Sequence, residues 1–437
     1  MEWYLALLLM IGLVVGLMLF GTYVAMAFLA ANIVGALVFL GGGHGLDQLV
    51  RNITSGLAQF NLAPIMMFIL MGEILFETKV AFRAIDAVER LFARVPGRLS
   101  HAAVMAGTVF GTLSGSSLAN TSLLGATLIP EMLKRGYHKS MAMGPILGSG
   151  GIAMLIPPSN LAVLLGSLSG ASISGILIAA AIPGVFIALS NVIYIVARCR
   201  MNPSLAPNYE IPVMSFGDRI KPFLIYVMPL FALFMIVVGS IFAGIATPTE
   251  SAALGAVGAL IAAALYRSLT WENFMRSLRE TGKISVMIFF IIGSSLTFSQ
   301  ILAFSGATQG LLSVLGQFDP TPLTMVCAMM LVVLVMGCFM DPLSIILITL
   351  PFFIPIVDLI GFDKIWFAVI MLLALEIGQI TPPFGLLLFC MKSVAPSGTT
   401  MHDIYKAVTP FILLQILTLV ALILMPSPAG WIATVLR

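Results

Sequence analysis

Two long apolar stretches of this chain each contain a pair of consecutive prolines, and this feature constrains the fold more than any other. The first reads G-G-I-A-M-L-I-P-P-S-N over residues 150–160, and the second reads L-E-I-G-Q-I-T-P-P-F-G over residues 375–385. Proline has no backbone N–H and clashes with the preceding turn, so a Pro-Pro pair cannot continue a helix. Unwound backbone at the depth of a bilayer survives only where protein surrounds it or where it lines a cavity. The sequence therefore predicts two broken helices, a pattern typical of the binding sites of secondary transporters.

The composition indicates that these stretches belong to a membrane protein. The chain has 437 residues, of which 60% are hydrophobic and 9% are charged, and its mean hydropathy is +1.11. Such a balance at this length is typical of a polytopic helical membrane protein. The formal net charge is only +3, which gives no basis for binding nucleic acid.

Ten apolar segments are long enough to be membrane spans, which need about 20 residues each. Two further apolar segments, 99–133 and 321–357, are interrupted by the tips T-L-S-G-S-S-L-A-N and C-F-M-D-P-L-S. Each has two limbs of about 13–17 residues, which suits a re-entrant hairpin better than two full crossings. The segments 80–95 and 271–283 mix apolar and charged positions, as amphipathic interfacial helices do. The ten spans are expected at roughly 3–20, 22–41, 61–78, 140–166, 174–197, 222–242, 249–266, 284–303, 365–391 and 406–425.

The basic residues indicate how the chain is oriented. With the N-terminus outside, the inner segments hold 18 of the 21 Lys and Arg residues, and three lie outside, namely Arg51, Lys364 and Arg437. An excess of positive charge on inner loops is the usual bias of membrane proteins. Segment 79–98 has five basic residues and is expected inside, whereas 304–320 has none and is expected outside. One hairpin then enters from each side, which is the layout of an alternating-access carrier.

Repeated spacings indicate two related halves. An offset of 225 positions maps Pro130 onto Pro355, and it maps the first Pro-Pro pair onto the second. Each half then has five crossings and one hairpin, and an odd number of crossings requires the halves to be inverted. We expect an all-α polytopic membrane protein with a first repeat at 1–212 and a second at 213–437. The first repeat divides into scaffold spans at 1–98, a hairpin and broken span at 99–170, and a closing span at 171–198; the second into scaffold spans at 222–320, a hairpin and broken span at 321–392, and a closing span at 405–426.

Four predicted helix starts converge in this layout. Asp341 followed by Pro342 is interpreted as an N-cap with proline at the first helical position, and so is Thr381 followed by Pro382. The offset of 225 places Ser116 opposite Asp341, and it places the first Pro-Pro pair opposite the second. Helix N-termini present free N–H groups and a partial positive charge, which suit a carboxylate. Simple capping and kinking of structural helices is the alternative interpretation.

Sodium ligands are expected beside these helix starts. Unwound backbone carbonyls, together with the hydroxyls of Ser114, Ser116 and Thr381, would suit Na⁺.

Three acidic residues within or beside spans need separate interpretations. Glu376 and Glu73 lie within spans, where an acid is by default a functional candidate. Glu73 could instead lie near a water-filled crevice or pair with a neighbour. Glu250 belongs to Thr-Pro-Thr-Glu at 247–250, which reads as a capping box that starts a helix.

Several signatures of other functions are absent from the sequence. No G-x-x-x-x-G-K-[ST] motif is present, so the chain itself does not use ATP through a P-loop. Neither H-E-x-x-H nor G-x-S-x-G occurs, so an intramembrane hydrolase lacks its usual signature. The four cysteines show no metal-ligand spacing. We therefore expect a transporter, not an enzyme, with no cofactor other than a coupling ion.

Taken together, six motifs resemble a known family. They are S-G-S-S-L-A-N (114–120), I-P-E-M-L-K-R-G-Y (129–137), L-I-P-P-S (155–159), G-I-A-T-P-T-E-S (244–251), D-P-L-S-I-I-L-I-T-L-P-F-F-I-P-I (341–356) and E-I-G-Q-I-T-P-P-F-G-L-L-L-F (376–389). The chain resembles the large membrane subunit of TRAP transporters, the tripartite ATP-independent periplasmic carriers, over essentially its whole length. The resemblance implies a sodium-driven importer of organic anions, often carboxylates, in the inner membrane of a bacterium. It also implies an elevator with a scaffold and a moving transport domain, a small four-span membrane subunit, and a periplasmic substrate-binding protein.

The same resemblance implies which segments form the sites. The hairpin tips at 114–117 and 337–342 and the broken spans at 150–159 and 378–383 would hold sodium and substrate. The expected substrate-binding residues are Ser116, Ser117, Asn120, Pro158, Ser159, Asp341 and Pro383. The candidate sodium sites involve Ser114, Ser116, Gly150, Gly337, Asp341, Gly378 and Thr381.

A stand-alone inverted-repeat carrier, coupled to an ion but independent of a binding protein, is the alternative. The two-hairpin layout is shared with such carriers, and only the family motifs favour the first hypothesis. Segments 111–122, 148–160, 337–345 and 376–386 contain no Lys or Arg. No side chain there therefore indicates which anion binds.

Overall fold

The computed structural model describes residues 2–78, 87, 97–207, 221–318 and 321–425. Regular structure in these residues is helical, and no strand occurs among them. The helices up to residue 201 are α1 (Trp3–Leu19), α2 (Val24–Phe39), α3 (Gly43–Leu57), α4 (Ala63–Glu77), α5 (Arg98–Ser114), α6 (Ser117–Lys134), α7 (Lys139–Gly150), α8 (Asn160–Ser169) and α9 (Ile173–Met201). The later helices are α10 (Met228–Phe242), α11 (Pro248–Leu265), α12 (Trp271–Phe304), α13 (Ala307–Gln317), α14 (Pro322–Gly337), α15 (Pro342–Leu359), α16 (Lys364–Ile380), α17 (Leu386–Val394) and α18 (Met401–Leu424).

Seven helical segments of the described chain are long and apolar enough to cross a membrane. They are Phe60–Glu77, Ile173–Met201, Phe223–Phe242, Pro248–Leu265, Trp271–Phe304, Pro342–Leu359 and Met401–Leu424. The chain is therefore a multi-pass membrane protein, as its composition predicts.

Both predicted hairpins are present as pairs of helices. In the first, α5 and α6 have 17 and 18 residues, and in the second, α14 and α15 have 16 and 18. The first limb of each hairpin has the expected length, and the second limb exceeds the expected range by one residue. That the hairpins are re-entrant stays a prediction.

Three features differ from the sequence-based expectation. Helices α3 and α13 lie in segments that were expected to be connections. The segment 271–283 is not a separate interfacial helix but the first part of α12, which continues without a break to Phe304. The other predicted amphipathic segment, 80–95, falls almost entirely outside the described residues.

The helices pack in two groups. Helices α1–α4 pack with α10–α13, and the most extensive of these contacts joins α4 to α11. Helices α5–α9 pack with α14–α18, where α7 lies against α5, α6 and α18. Contacts between the groups are made chiefly by α4 with α5 and α8 and by α12 with α15. Both broken helices and both hairpins belong to the second group.

Candidate functional site

The first hairpin tip is a two-residue turn between α5 and α6. Gly115 has a positive φ of 63°, a conformation that glycine adopts without the steric cost of a Cβ atom. Ser116 is then extended, and its Oγ accepts a hydrogen bond from the Ala119 N–H at 3.2 Å. Ser116 is therefore the N-cap of α6, as predicted, and Ser117 begins the helix in a buried position. The structure does not describe the side chain of Ser114.

The second tip is capped by a carboxylate. Asp341 is the N-cap of α15, with Pro342 at the first helical position, as the sequence predicts. Its Oδ2 accepts from the Ser344 N–H at 3.0 Å, and its Oδ1 accepts a hydrogen bond from the Ser344 hydroxyl. The two tips thus present a hydroxyl and a carboxylate at matching places.

The first broken helix ends where expected and restarts later than expected. Helix α7 ends at Gly150, a 3₁₀ turn follows at Ile152–Met154, and α8 begins at Asn160. Ser159, not the Pro-Pro pair, is its N-cap and accepts from the Ala162 N–H at 3.2 Å. The Ser159 hydroxyl also donates to the Met154 carbonyl at 2.7 Å, which closes the unwound segment on itself. Pro158 lies within this buried segment, after a cis peptide bond.

The second broken helix corrects the interpretation of Thr381. Helix α16 ends at Ile380, and the next helix, α17, begins at Leu386 with Gly385 as its N-cap. Thr381 is the C-cap of α16, and its hydroxyl donates to the Ile377 carbonyl at 2.6 Å. The prediction of an N-cap at Thr381 was wrong, because Pro382 and Pro383 form a turn, with a cis bond between them, and do not start a helix.

Each tip lies against the break of its own half. A Cβ atom added to Gly337 would lie 2.6 Å from the Cα atom of Gly378, so the two backbones touch. In the first half, a Cβ atom on Gly111 would lie 3.2 Å from the Cβ atom of Ala153. The structure thus brings together the predicted sodium-site glycines of the second hairpin and the second break.

Two further side chains reach the first tip and the first break. A Cβ atom on Gly115 would lie 2.8 Å from Nδ2 of Asn160, and one on Gly150 would lie 2.6 Å from Oγ1 of Thr121. The Asn160 Oδ1 and Thr121 Oγ1 atoms are buried without a hydrogen-bond partner. Sequence reasoning missed both residues as site members, although each is a polar residue inside or beside a predicted site segment.

Asn120, a predicted substrate-binding residue, has a partner within its own hairpin. Its Nδ2 donates to the Gly107 carbonyl of α5 at 2.9 Å, which holds the two limbs together. Its Oδ1 atom is buried without a partner and remains available.

The two breaks also contact each other. A Cβ atom on Gly151 would lie 2.5 Å from Cγ of Glu376, and Gln379 Nε2 lies 3.6 Å from Sδ of Met154. The first unwound segment therefore lies against the last two turns of α16, which lead into the second break. Backbone carbonyls and hydroxyls of the tips and breaks are of the kind that suits a hard cation, and helix N-termini suit an anionic group.

The three acidic residues have different environments. Glu376 is wholly buried, and Glu73 is partly buried on α4. Glu250 forms the predicted capping box, since Thr247 N–H donates to its Oε2 at 2.8 Å. No cluster of three or more His, Cys, Asp or Glu side chains that could hold a metal ion occurs among the described residues.

Comparison with known proteins places the chain among transport permeases. The family model described as the DctM component of the tripartite ATP-independent periplasmic transporter matches residues 11–427. An ectoine TRAP transporter large permease of Halomonas elongata is 31% identical, over 96% of this chain and 97% of the relative. A C4-dicarboxylate large permease of Pseudomonas aeruginosa is 31% identical over 84% and 85%. A sialic acid large permease of Vibrio cholerae is 29% identical over 95% and 93%.

Two solved structures share the fold at low sequence identity. The YdaH transporter of Alcanivorax borkumensis aligns with a TM-score of 0.58 at 14% identity, over 88% of this chain and 89% of its own. MtrF of Neisseria gonorrhoeae, a protein described as representing a class of antimetabolite efflux pumps, aligns with a TM-score of 0.59 at 12% identity, over 86% of this chain and 83% of its own.

Proposed function

Because the chain belongs to the family of the DctM component of tripartite ATP-independent periplasmic transporters, we propose that it imports an organic anion across the inner membrane of a bacterium. Import is driven by sodium, and the anion is handed over by a periplasmic binding protein. The chain works together with a small four-span membrane subunit. It is a secondary transporter, and the homologues are permeases and not enzymes.

One observation carries the proposal: each hairpin tip lies against the broken helix of its own half, and the first break lies against the helix that leads into the second. Helices α6 and α15 begin at the tips, and helices α8 and α17 begin at the breaks. Partial positive charge at such ends suits a carboxylate in segments that contain no Lys or Arg.

The substrate class follows from the relatives. Their names give ectoine, C4-dicarboxylates, sialic acid and 2,3-diketo-L-gulonate as transported compounds. Each of these compounds has a carboxylate group, so an organic carboxylate is the class proposed here.

The proposed domain organisation is a scaffold and a moving transport domain, both built from inverted repeats. Two features support it. The helices pack in two groups, with both hairpins and both breaks in one of them. Residues separated by 225 positions also contact each other, as Met154 and Gln379 do, which is expected near a two-fold axis that relates the halves.

The test is uptake into liposomes that contain the chain together with its small subunit. Import of a labelled carboxylate is expected with an inward sodium gradient and loaded binding protein. Import should be lost when choline replaces sodium or when the binding protein is left out. Equal uptake in choline would contradict sodium coupling.

A stand-alone ion-coupled carrier is the second candidate, because the fold is shared with a protein described as an efflux pump. Robust uptake of free substrate by the chain alone would establish this alternative in place of the first.

A further inference from the structure

A buried polar cluster lies where α7, α9, α16 and α18 meet. Its side chains are Glu376, Asn191 and Gln415, and all three have 0% relative exposure. Asn191 Nδ2 donates to the Gly148 carbonyl at 2.9 Å. Gln415 Nε2 donates to Glu376 Oε1 at 2.9 Å and lies 3.3 Å from the same Gly148 carbonyl. One backbone oxygen thus joins the two closing spans to the first broken helix.

The atoms of this cluster that lack a partner are all oxygens. They are Glu376 Oε2, Asn191 Oδ1 and Gln415 Oε1. The amide orientations are fixed by their neighbours, because an amide oxygen facing the Gly148 carbonyl would place two acceptors together. A buried acceptor without a donor costs free energy, so three in one cluster require a positively charged or donating ligand.

The negative charge of the cluster also favours a positively charged ligand. In the described part of the chain, Gln415 is the only hydrogen-bond partner of Glu376, and no basic side chain pairs with the carboxylate. An uncompensated carboxylate in the membrane interior is costly. A proton on Glu376 would remove the charge, but a single proton serves one acceptor and leaves the amide oxygens unsatisfied.

Glycines make room for this arrangement. A Cβ atom on Gly148 would lie 2.4 Å from the Phe411 ring, and one on Gly144 would lie 2.5 Å from the Ala407 carbonyl. Helix α18 therefore lies unusually close to α7 and carries Gln415 to the Gly148 carbonyl. Gly151 likewise leaves space for the Glu376 side chain.

We propose that Glu376, Asn191 and Gln415 form a binding site for one monovalent cation of the size of sodium, built from other residues than the candidate sites at the hairpin tips. Carboxylate and amide oxygens are the ligands that hard cations prefer. One carboxylate balances one positive charge. The site joins the broken helices to both closing spans, so the cation would hold these four helices in one arrangement. The choice of sodium rests on the proposed function, whereas the presence of a cation site does not.

The test is cation-dependent thermal unfolding of the full-length chain in lipid nanodiscs. Sodium chloride is titrated against choline chloride at constant ionic strength. A ligand that binds only the folded state raises the unfolding temperature. We expect sodium to do so, and we expect Glu376→Gln to raise the sodium concentration that gives half of the shift by about tenfold or more.

Two further variants complete the design. Gln415→Met removes an oxygen ligand and keeps the Glu376 carboxylate, although that carboxylate loses its hydrogen bond from Gln415 Nε2. It should weaken the sodium response in the same direction. Glu131→Gln is the matched control, since it neutralises a partly exposed carboxylate on α6 that pairs with Arg135. This control should respond to sodium like the unmodified chain.

The outcomes separate this site from the proposed tip sites. If Glu376→Gln and Gln415→Met respond to sodium like the unmodified chain, the cluster is not a cation site and Glu376 is simply protonated. Sodium-driven uptake would be untouched by that result. If sodium stabilises neither the unmodified chain nor the variants, no sodium ion binds in this cluster and the proposal is wrong.

Discussion

The two broken helices follow the same sequence pattern, yet the protein surrounds them differently. Residues 150–159 of the first break are all buried. The second break is shorter, and it leaves Pro383 and Phe384 exposed. Helix α9 covers the first break, because Gly184 lies so close that a Cβ atom added to it would be 2.6 Å from the Ile156 side chain. The second is instead held by Tyr405 of α18, whose hydroxyl donates to the Pro383 carbonyl at 2.7 Å.

This difference teaches that the Pro-Pro pairs require each helix to break, while the neighbours determine how accessible each break is. We expect the two halves also to differ in how well they tolerate an added Cβ atom, in the charge of their tips and in sodium binding.

The largest effect is expected at the glycine contact of the second half. In Gly378→Ala and Gly337→Ala, the new Cβ atom would lie 2.7 Å or 2.6 Å from the Cα atom of the opposite glycine. The backbone cannot move aside as a flexible side chain can. Each change should therefore lower the free energy of unfolding by about 1–3 kcal/mol or more. We expect a lower unfolding temperature and a reduced yield of monodisperse protein.

Two controls sharpen this comparison. Ala153→Gly removes the corresponding Cβ atom in the first half and should cost only about 0.5–1 kcal/mol. Gly316→Ala lies on α13, where a Cβ atom meets nothing within 4 Å, and it should be neutral or stabilising. An unfolding temperature of Gly378→Ala equal to that of the unmodified chain would show that the tip and the break separate readily.

Features set by a few neighbouring residues were predictable from the sequence. Ser116 and Asp341 cap helices as expected, and Glu250 forms its capping box. Each of these rests on a local hydrogen bond that spans three residues. The two breaks were predictable for the same reason, because the Pro-Pro pairs act on their own backbone.

Features set by packing were not predictable. Thr381 ends a helix, because the next one begins only at Leu386, and proline alone does not fix that point. The Gln415 side chain meets Gly148, 267 positions away in the chain, only after α18 has packed on α7. Helix α3 was missed because it is amphipathic and too polar to read as a span.

A smaller effect is expected where the two tips differ in charge. Asp341→Asn keeps a good N-cap, since Asn and Asp are about equally favourable there, but it removes the carboxylate. If this charge helps to hold sodium, the sodium concentration for half-maximal uptake should rise about tenfold, about 1.4 kcal/mol, with an unchanged yield of folded protein. Ser116→Ala in the other tip removes the cap and should cost about 1 kcal/mol of stability. Equal sodium dependence in Asp341→Asn and the unmodified chain would place the ion away from this carboxylate.

The smallest change in sodium dependence is expected at Thr381, whose hydroxyl already caps the end of α16. It donates to the Ile377 carbonyl at the end of α16, and its lone pairs remain free for a cation. Thr381→Ala loses both functions, and we expect the half-saturating sodium concentration to rise about threefold, about 0.7 kcal/mol. Thr381→Ser retains the hydroxyl and is the matched control, so it should transport with normal sodium dependence. If Thr381→Ala lowers only the yield of folded protein, the hydroxyl is a cap alone. The ion at the second break would then be held by backbone carbonyls, and the two halves would differ in their ligands as they do in their burial.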